Sequence, residues 1–176
     1  KACRAEGTGR REFLRQAARL PGIYAPGFYE VSYKEDGTIA AFRPMEEGLP
    51  ATVRKEVVMD VTDACYPRKP IVPFMKVTQD RVVLEIQRGF IRGCRFCQAG
   101  QIYRPVRERS LEMLKSCALE MLHNTGHEEI SLSSLSSSDY SHLPGLVNFL
   151  IEECSRNHTN ISLPSLRIDA FSLDVM

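Results

Sequence analysis

From Arg81 onward the chain alternates short apolar runs with stretches of helical spacing, and this alternation constrains the fold more than any other feature. Arg81 to Ile86 reads as a buried-type strand, Ser110 to His123 as a helix, and Glu129 to Leu135 as a second strand. Leu143 to Cys154 follows as a helix with Leu146, Val147, Leu150 and Ile151 on one face, and Ile161 to Ile168 as a third strand. A β-α-β-α-β order with helical crossovers predicts an α/β fold with parallel strands. Such units build either barrels or open doubly wound sheets, and both place their chemistry at the C-terminal ends of the strands. The chain has 176 residues, too few for a complete eight-fold barrel of about 250.

The first part of the chain has a different pattern. Phe13, Leu14, Ala17, Ala18 and Leu20 recur at helical spacing until Pro21-Gly22, predicting a short amphipathic helix within Gly9 to Leu20. Phe28 to Tyr33 and Thr38 to Phe42 are aromatic and β-branched runs joined through Lys34-Glu35-Asp36-Gly37, which predicts a β-hairpin. Prolines at 44, 50, 67, 70 and 73 then mark a connector from Arg43 to Phe74, with one strand-like stretch from Glu56 to Val61. The expected domain boundary lies there, giving 1–74 as a linker region and 75–176 as the α/β part.

With 43% hydrophobic and 26% charged residues the chain falls among globular proteins, and its formal charge of +1 gives no global field for nucleic acid or a membrane surface. No run approaches the about 18 apolar residues of a membrane span, so cytoplasmic residence is the expectation. Lys1 is not an initiator methionine, and the chain is expected to be a fragment. Six cysteines lie far apart except for Cys94 and Cys97. That is unlike a secreted disulfide framework and fits reduced thiols around one cofactor site.

Arg88-Gly89-Phe90-Ile91-Arg92-Gly93-Cys94-Arg95-Phe96-Cys97-Gln98-Ala99-Gly100 follows the first parallel strand, so both thiols sit beyond its C-terminal end. Three nearby arginines favour thiolates. A Cys-x-x-Cys pair alone is compatible with an iron-sulfur half-site, half of a zinc site, a redox dithiol, or buried small residues. Zinc would want a second close pair, whereas Cys117, His123, His142, Cys154 and His158 are scattered. A dithiol of the thioredoxin kind opens a helix directly, and here Gly100 and Pro105 postpone any long helix until Ser110. Downstream, Arg104, Arg107 and Arg109 form a basic run that would either touch an anionic substrate or line a solvated face, the second being the reading adopted. Ser131 to Ser141 contains seven serines interrupted by Leu132 and Leu135, a turn or a ligand-facing loop.

The loop resembles that of radical S-adenosylmethionine (SAM) enzymes, which carry Cys-x3-Cys-x2-Cys with an aromatic residue before the last cysteine. The resemblance is closest to members with an N-terminal cobalamin-binding domain. It extends over Pro21-Gly22-Ile23-Tyr24, Phe28-Tyr29-Glu30-Val31, Gly93 to Glu108, Ser131-Leu132-Ser133-Ser134-Leu135 and Leu163-Pro164-Ser165-Leu166-Arg167. It implies the first three strands of a partial TIM-like barrel, with any cobalamin bound upstream of residue 1. In that family three thiolates hold a 4Fe-4S cluster that, once reduced by an electron donor, cleaves SAM to a 5′-deoxyadenosyl radical. By resemblance Cys94 and Cys97 are cluster ligands and Phe96 packs by the adenine of SAM. Ser133, Ser134 and Ser136 lie where the SAM amino group is met, and Ser165 and Arg167 are candidates for its ribose hydroxyls and carboxylate, with Asp169 as an alternative structural partner for Arg167. No catalytic residue is assigned and the substrate is unspecified.

Phe90 stands where the family has its first cysteine, and it offers iron no donor atom. Cys65 lies in the proline-rich connector and Cys117 on the apolar Leu114-Cys117-Met121 face, so neither is well placed to substitute. The rival expectation is therefore a cluster-less binding or scaffold protein that keeps the fold and an affinity for SAM or RNA.

Overall fold

The computed structural model describes residues 7–62, 65–167 and 169. The chain divides into two compact units, Lys1–Val58 and Met59–Met176. This division falls earlier than the boundary expected at residue 74, because the start of the proline-rich stretch after Val58 is tied to the α/β unit. Tyr66 Oη donates to the Val83 carbonyl at 2.8 Å, and Arg68 Nη1 donates to Glu120 Oε1 at 2.6 Å.

In the first unit, helix α1 (Arg10–Ala17) is followed by a 3-10 turn at Pro26–Phe28 and then strands β1 (Tyr29–Tyr33) and β2 (Ile39–Pro44), paired antiparallel with Val31 opposite Phe42. The expected helix and hairpin are both present. Ala18, Ala25, Phe28, Tyr29 and Leu49 form the small core, and the Tyr29 and Phe42 rings stack with centroids 4.8 Å apart. Arg15 Nε bonds Glu46 Oε2 at 2.6 Å and ties α1 to the segment after β2.

The second unit carries the α/β pattern. Strand β3 (Val82–Glu85) runs into a short antiparallel pair, β4 (Gln87–Arg88) with β5 (Arg107–Glu108), and between these lies the one-turn helix α2 (Ala99–Ile102). Helices α3 (Leu111–Thr125) and α4 (Leu143–Asn157) then flank β6 (Glu129–Ser133), and β7 (Asn160–Ser162) closes the series. The parallel strands stand in the order β3-β6-β7, with Leu84 opposite Leu132 and Ile130 opposite Ile161.

Helical spacing explains the core. Leu114, Cys117, Ala118 and Met121 of α3, and Leu143, Leu146, Val147, Leu150 and Cys154 of α4, are buried in one cluster with Val82, Leu84, Ile130 and Leu132. Both crossover helices therefore cover the same face of the sheet. Ser110 caps α3, its hydroxyl accepting from the Met113 amide at 3.4 Å. Ser110→Ala is expected to cost about 1 kcal/mol, measurable as a lower urea midpoint with an unchanged slope.

Two expected strands change. Glu56 to Val61 is irregular, with Val58 and Met59 exposed, and belongs to none of the strands among the described residues. The third strand stops at Ser162, because Pro164 has no amide to donate and the next backbone groups turn toward the exit of β6: the Ser137 amide donates to the Ser165 carbonyl at 3.1 Å. Ile168, the expected strand end, lies outside the described residues.

Candidate functional site

The cysteine loop leaves β4 at Gly89 and returns through α2. Gly89 has φ +99, and the Phe90 amide donates to the Tyr103 carbonyl at 3.0 Å, which folds the loop back on its own continuation. Gly100 lies so close under the Arg92 carbonyl oxygen that a side chain there would overlap it. Arg104 Nη2 donates to the Ile91 carbonyl at 3.2 Å, and the Arg104–Pro105 peptide is cis. These backbone contacts shape an open cup of about 510 Å³ lined by Arg92, Cys94, Arg95, Phe96, Cys97 and Gln101.

Both thiols of the cup are free and exposed. The Cys97 amide donates to the Cys94 carbonyl at 3.1 Å, closing a turn between two residues that both line the cup, and the Ala99 amide donates to Cys97 Sγ at 3.5 Å. Phe96 is 93% exposed, so it contributes nothing to a core and is free to lie against a planar ligand. Phe90 is half-buried at the base of the loop.

The exit of β6 is tied to the cup through Arg92. Ser134 and Ser137 hydroxyls meet at 3.1 Å, Ser137 Oγ donates to the Pro164 carbonyl at 2.8 Å, and the Arg167 amide donates to Ser138 Oγ at 3.0 Å. Asp139, in the 3-10 turn Ser137–Asp139, binds Arg92 at 2.7 and 3.3 Å and Arg167 at 2.9 and 3.2 Å. The hydrogen bonds from Arg92, with help from Ser136 and Arg167, outweigh burial and hold the Asp139 carboxyl below the usual carboxylate range.

Several expected roles shift on these distances. Ser136 is fully buried, and its carbonyl accepts from Gln87 Nε2 at 2.6 Å, so its backbone belongs to the scaffold under the site. Ser133 is half-buried, and its carbonyl accepts from the Ile86 amide at 3.0 Å. Ser165 is exposed with φ 60, at the corner where the chain turns toward the site. Arg167 spends Nη1 on Asp139 and Nη2 on Asp169, so its fork is already occupied by carboxylates of the chain itself.

The basic run also resolves differently from a solvated face. Arg109 is 1% exposed, its Nη2 bonds Glu85 Oε2 at 2.7 Å, its Nη1 donates to the Val61 carbonyl, and its guanidinium lies 4.7 Å from the centre of the Tyr66 ring. Arg107 Nε donates to the Pro105 carbonyl at 3.1 Å. Asp139 and Gln87, which organise the site, had no role in the sequence reading. The signal available for Asp139 was its place at the end of Ser136-Ser137-Ser138-Asp139, a turn-forming sequence beyond a strand.

For a cluster, the donor set is incomplete. Among the described residues no three His, Cys, Asp or Glu side chains gather in a metal-binding arrangement. Cys117 is buried, its thiol pushed up by burial and in contact with Met113 Sδ at 3.3 Å, in keeping with core packing. Cys65 is exposed, and no described contact carries it to the cup. Cys94 and Cys97 supply two thiols at Cys-x-x-Cys spacing, and Phe90, four positions before Cys94, has no donor atom for a metal. No helix among the described residues is long and apolar enough to cross a membrane.

No family model matches the chain. The chain is similar to an uncharacterized protein of Methanocaldococcus jannaschii, with 33% identity over 131 residues, 69% of this chain. The matched part spans 29% of that relative's length.

Proposed function

We propose that this chain is the N-terminal part of a radical SAM barrel, in which Cys94 and Cys97 are cluster ligands and Phe96 stacks on the adenine of SAM. The observation that carries this reading is the pair of exposed thiols in an arginine-bearing cup at the C-terminal end of β3, where parallel α/β folds keep their chemistry. Sequential order in the parallel sheet and crossover helices on one face support a barrel beginning. Tyr66 supports an open one. Its hydroxyl donates to the Val83 carbonyl and accepts from the Glu85 amide, both at 2.8 Å, and so occupies the outer edge of β3 where a closing strand would pair.

Within this reading the Ser133, Ser134 and Ser165 region meets the polar groups of SAM. The bound cluster would supply the electron for SAM cleavage, and an external electron donor is required. Cobalamin, if used, binds upstream of residue 1, and methyl transfer is then the proposed reaction. A second reading, a cluster-less SAM-binding module, is favoured by Phe90 and by the incomplete donor set among the described residues.

Anaerobic reconstitution with iron and sulfide separates the two. The native chain is expected to hold a labile, substoichiometric cluster and Phe90→Cys a stable one with the absorbance of a 4Fe-4S centre, because a third thiolate protects a third iron. Reductive cleavage of SAM by Phe90→Cys supports the radical reading. SAM binding without any cluster in either protein supports the second.

A further inference from the structure

We propose that Asp139 is the positioning residue of the cysteine loop: its carboxylate ties Arg92 to Arg167 and thereby fixes Cys94 and Cys97 over the ends of β3 and β6. What the thiols hold rests on the functional reading above, whereas the clasp stands on geometry.

Asp139 is anchored without its carboxylate. The turn that carries it is held by the Ser137 amide on the Ser165 carbonyl at 3.1 Å, by Ser137 Oγ on the Pro164 carbonyl at 2.8 Å, and by the Arg167 amide on Ser138 Oγ at 3.0 Å. Those bonds join the exits of β6 and β7 into one platform. The loop is built differently: its bonds from Phe90 to Tyr103 and from Arg104 to Ile91 run to its own continuation. Arg92 reaches across this gap with Nη2 2.7 Å from Asp139 Oδ1 and Nε 3.3 Å from Oδ2.

The same two oxygens receive Arg167 Nη1 at 2.9 and 3.2 Å, so one carboxylate serves both arginines. Charge-assisted contacts of this kind fix orientation as well as distance. The Asp139 side chain is 19% exposed and that of Arg92 45%, so solvent screens the pair in part. Arg167 faces Asp169 with its other nitrogen and acts here as part of the platform rather than as a ligand fork.

The test uses the metal-free 176-residue chain and cadmium ion as the probe of paired thiols. Asp139→Asn keeps the shape and removes the charge, and Asp139→Glu keeps the charge. Asp139→Asn is expected to speed amide hydrogen exchange in residues 89–100 by about tenfold and to weaken cadmium-thiolate binding by about tenfold, the size of one charge-assisted contact. Asp139→Glu should retain most of both, and exchange in α3 and β6 should not change. Protection of Cys117 and Cys154 from alkylation checks folding, and Arg92→Gln breaks the same contact from the other side should Asp139→Asn fail it.

No change in either readout overturns the proposal. Faster exchange with unchanged cadmium affinity also overturns it, because Asp139 would then order the loop without positioning the thiols. Weaker cadmium binding with unchanged exchange does the same, since it would reflect charge alone. The measurement needs neither iron nor SAM, so failure of the cluster in Phe90→Cys leaves its outcome independent.

Discussion

Arg109→Ala is expected to remove about 3–5 kcal/mol from the stability of the second unit, the usual cost of breaking a buried charge pair from one side. The Arg109 side chain is 0% exposed and serves three groups at once: Glu85 at 2.7 Å, the Val61 carbonyl, and the face of the Tyr66 ring at 4.7 Å. Truncation opens a cavity and orphans the Val61 carbonyl, and both effects add to the lost ion pair. Glu85 keeps Arg88 Nε at 2.8 Å, so it is not left alone, and this holds the cost within that range. Thermal unfolding should shift downward by roughly 10–20 °C, given about 4 °C per kcal/mol for a unit of this size. Arg109→Met restores much of the volume and should recover about half. Burial works against ionisation of Glu85, but hydrogen bonds from Arg88 and Arg109 prevail and hold its carboxyl below the ordinary value. Its contribution is therefore present above the ordinary carboxylate pKa and lost as pH falls through the depressed value. Arg109→Ala should accordingly show a shallower loss of stability in acid than the native chain, and a destabilisation below 1 kcal/mol at neutral pH would show that the buried pair is close to neutral.

Arg109 also marks where the sequence stops being readable. Its local context, Arg104-Pro105-Val106-Arg107-Glu108-Arg109, reads as a solvated basic run, while its carboxylate partner stands 24 residues upstream and the carbonyl it binds 48 residues upstream. Pairing over such distances leaves no periodic trace. Helices α3 and α4 were legible because Leu114, Cys117, Ala118 and Met121, and Leu146, Val147 and Leu150, repeat at the spacing their burial demands. The hairpin was legible from its Gly-containing connection. Strand β7 was overextended because Leu163, Leu166 and Ile168 look apolar enough to continue a strand, and only the backbone bonds to the β6 exit turn redirect the chain at Pro164. At the site the cysteines and Phe96 stand out by residue type, and all three are exposed. Asp139 does not stand out, since one aspartate among serines carries no signal until Arg92 and Arg167 are brought to it by two other segments.

Gly89→Ala is the substitution expected to damage the cysteine cup most. Gly89 has φ +99, a region that L-residues seldom enter, so any side chain brings about 1–3 kcal/mol of backbone strain. The space is also closed: a Cβ would fall 2.6 Å from the Tyr103 carbonyl oxygen and would overlap the Pro105 carbonyl. Both obstacles are backbone, so relief requires β4 to separate from β5 rather than a side chain to rotate, adding about 1–3 kcal/mol of overpacking. Pairing of Gln87 with Glu108 and of Arg88 with Arg107 flanks the clash directly. The sheet β3-β6-β7 and its helices lie outside it, so the unit should stay folded with a melting temperature lower by roughly 8–24 °C. The loop should not survive: amides of residues 89–104 are expected to lose their exchange protection while those of α3 keep theirs. Cys94 and Cys97 then float independently and the paired-thiol signal with cadmium disappears. Gly100→Ala should reproduce the loss of the cup with a smaller fall in melting temperature, because its clash with the Arg92 carbonyl lies within the loop and carries no positive φ. Native-like exchange in residues 89–104 of Gly89→Ala would mean that β4 and β5 do not set the position of the thiols.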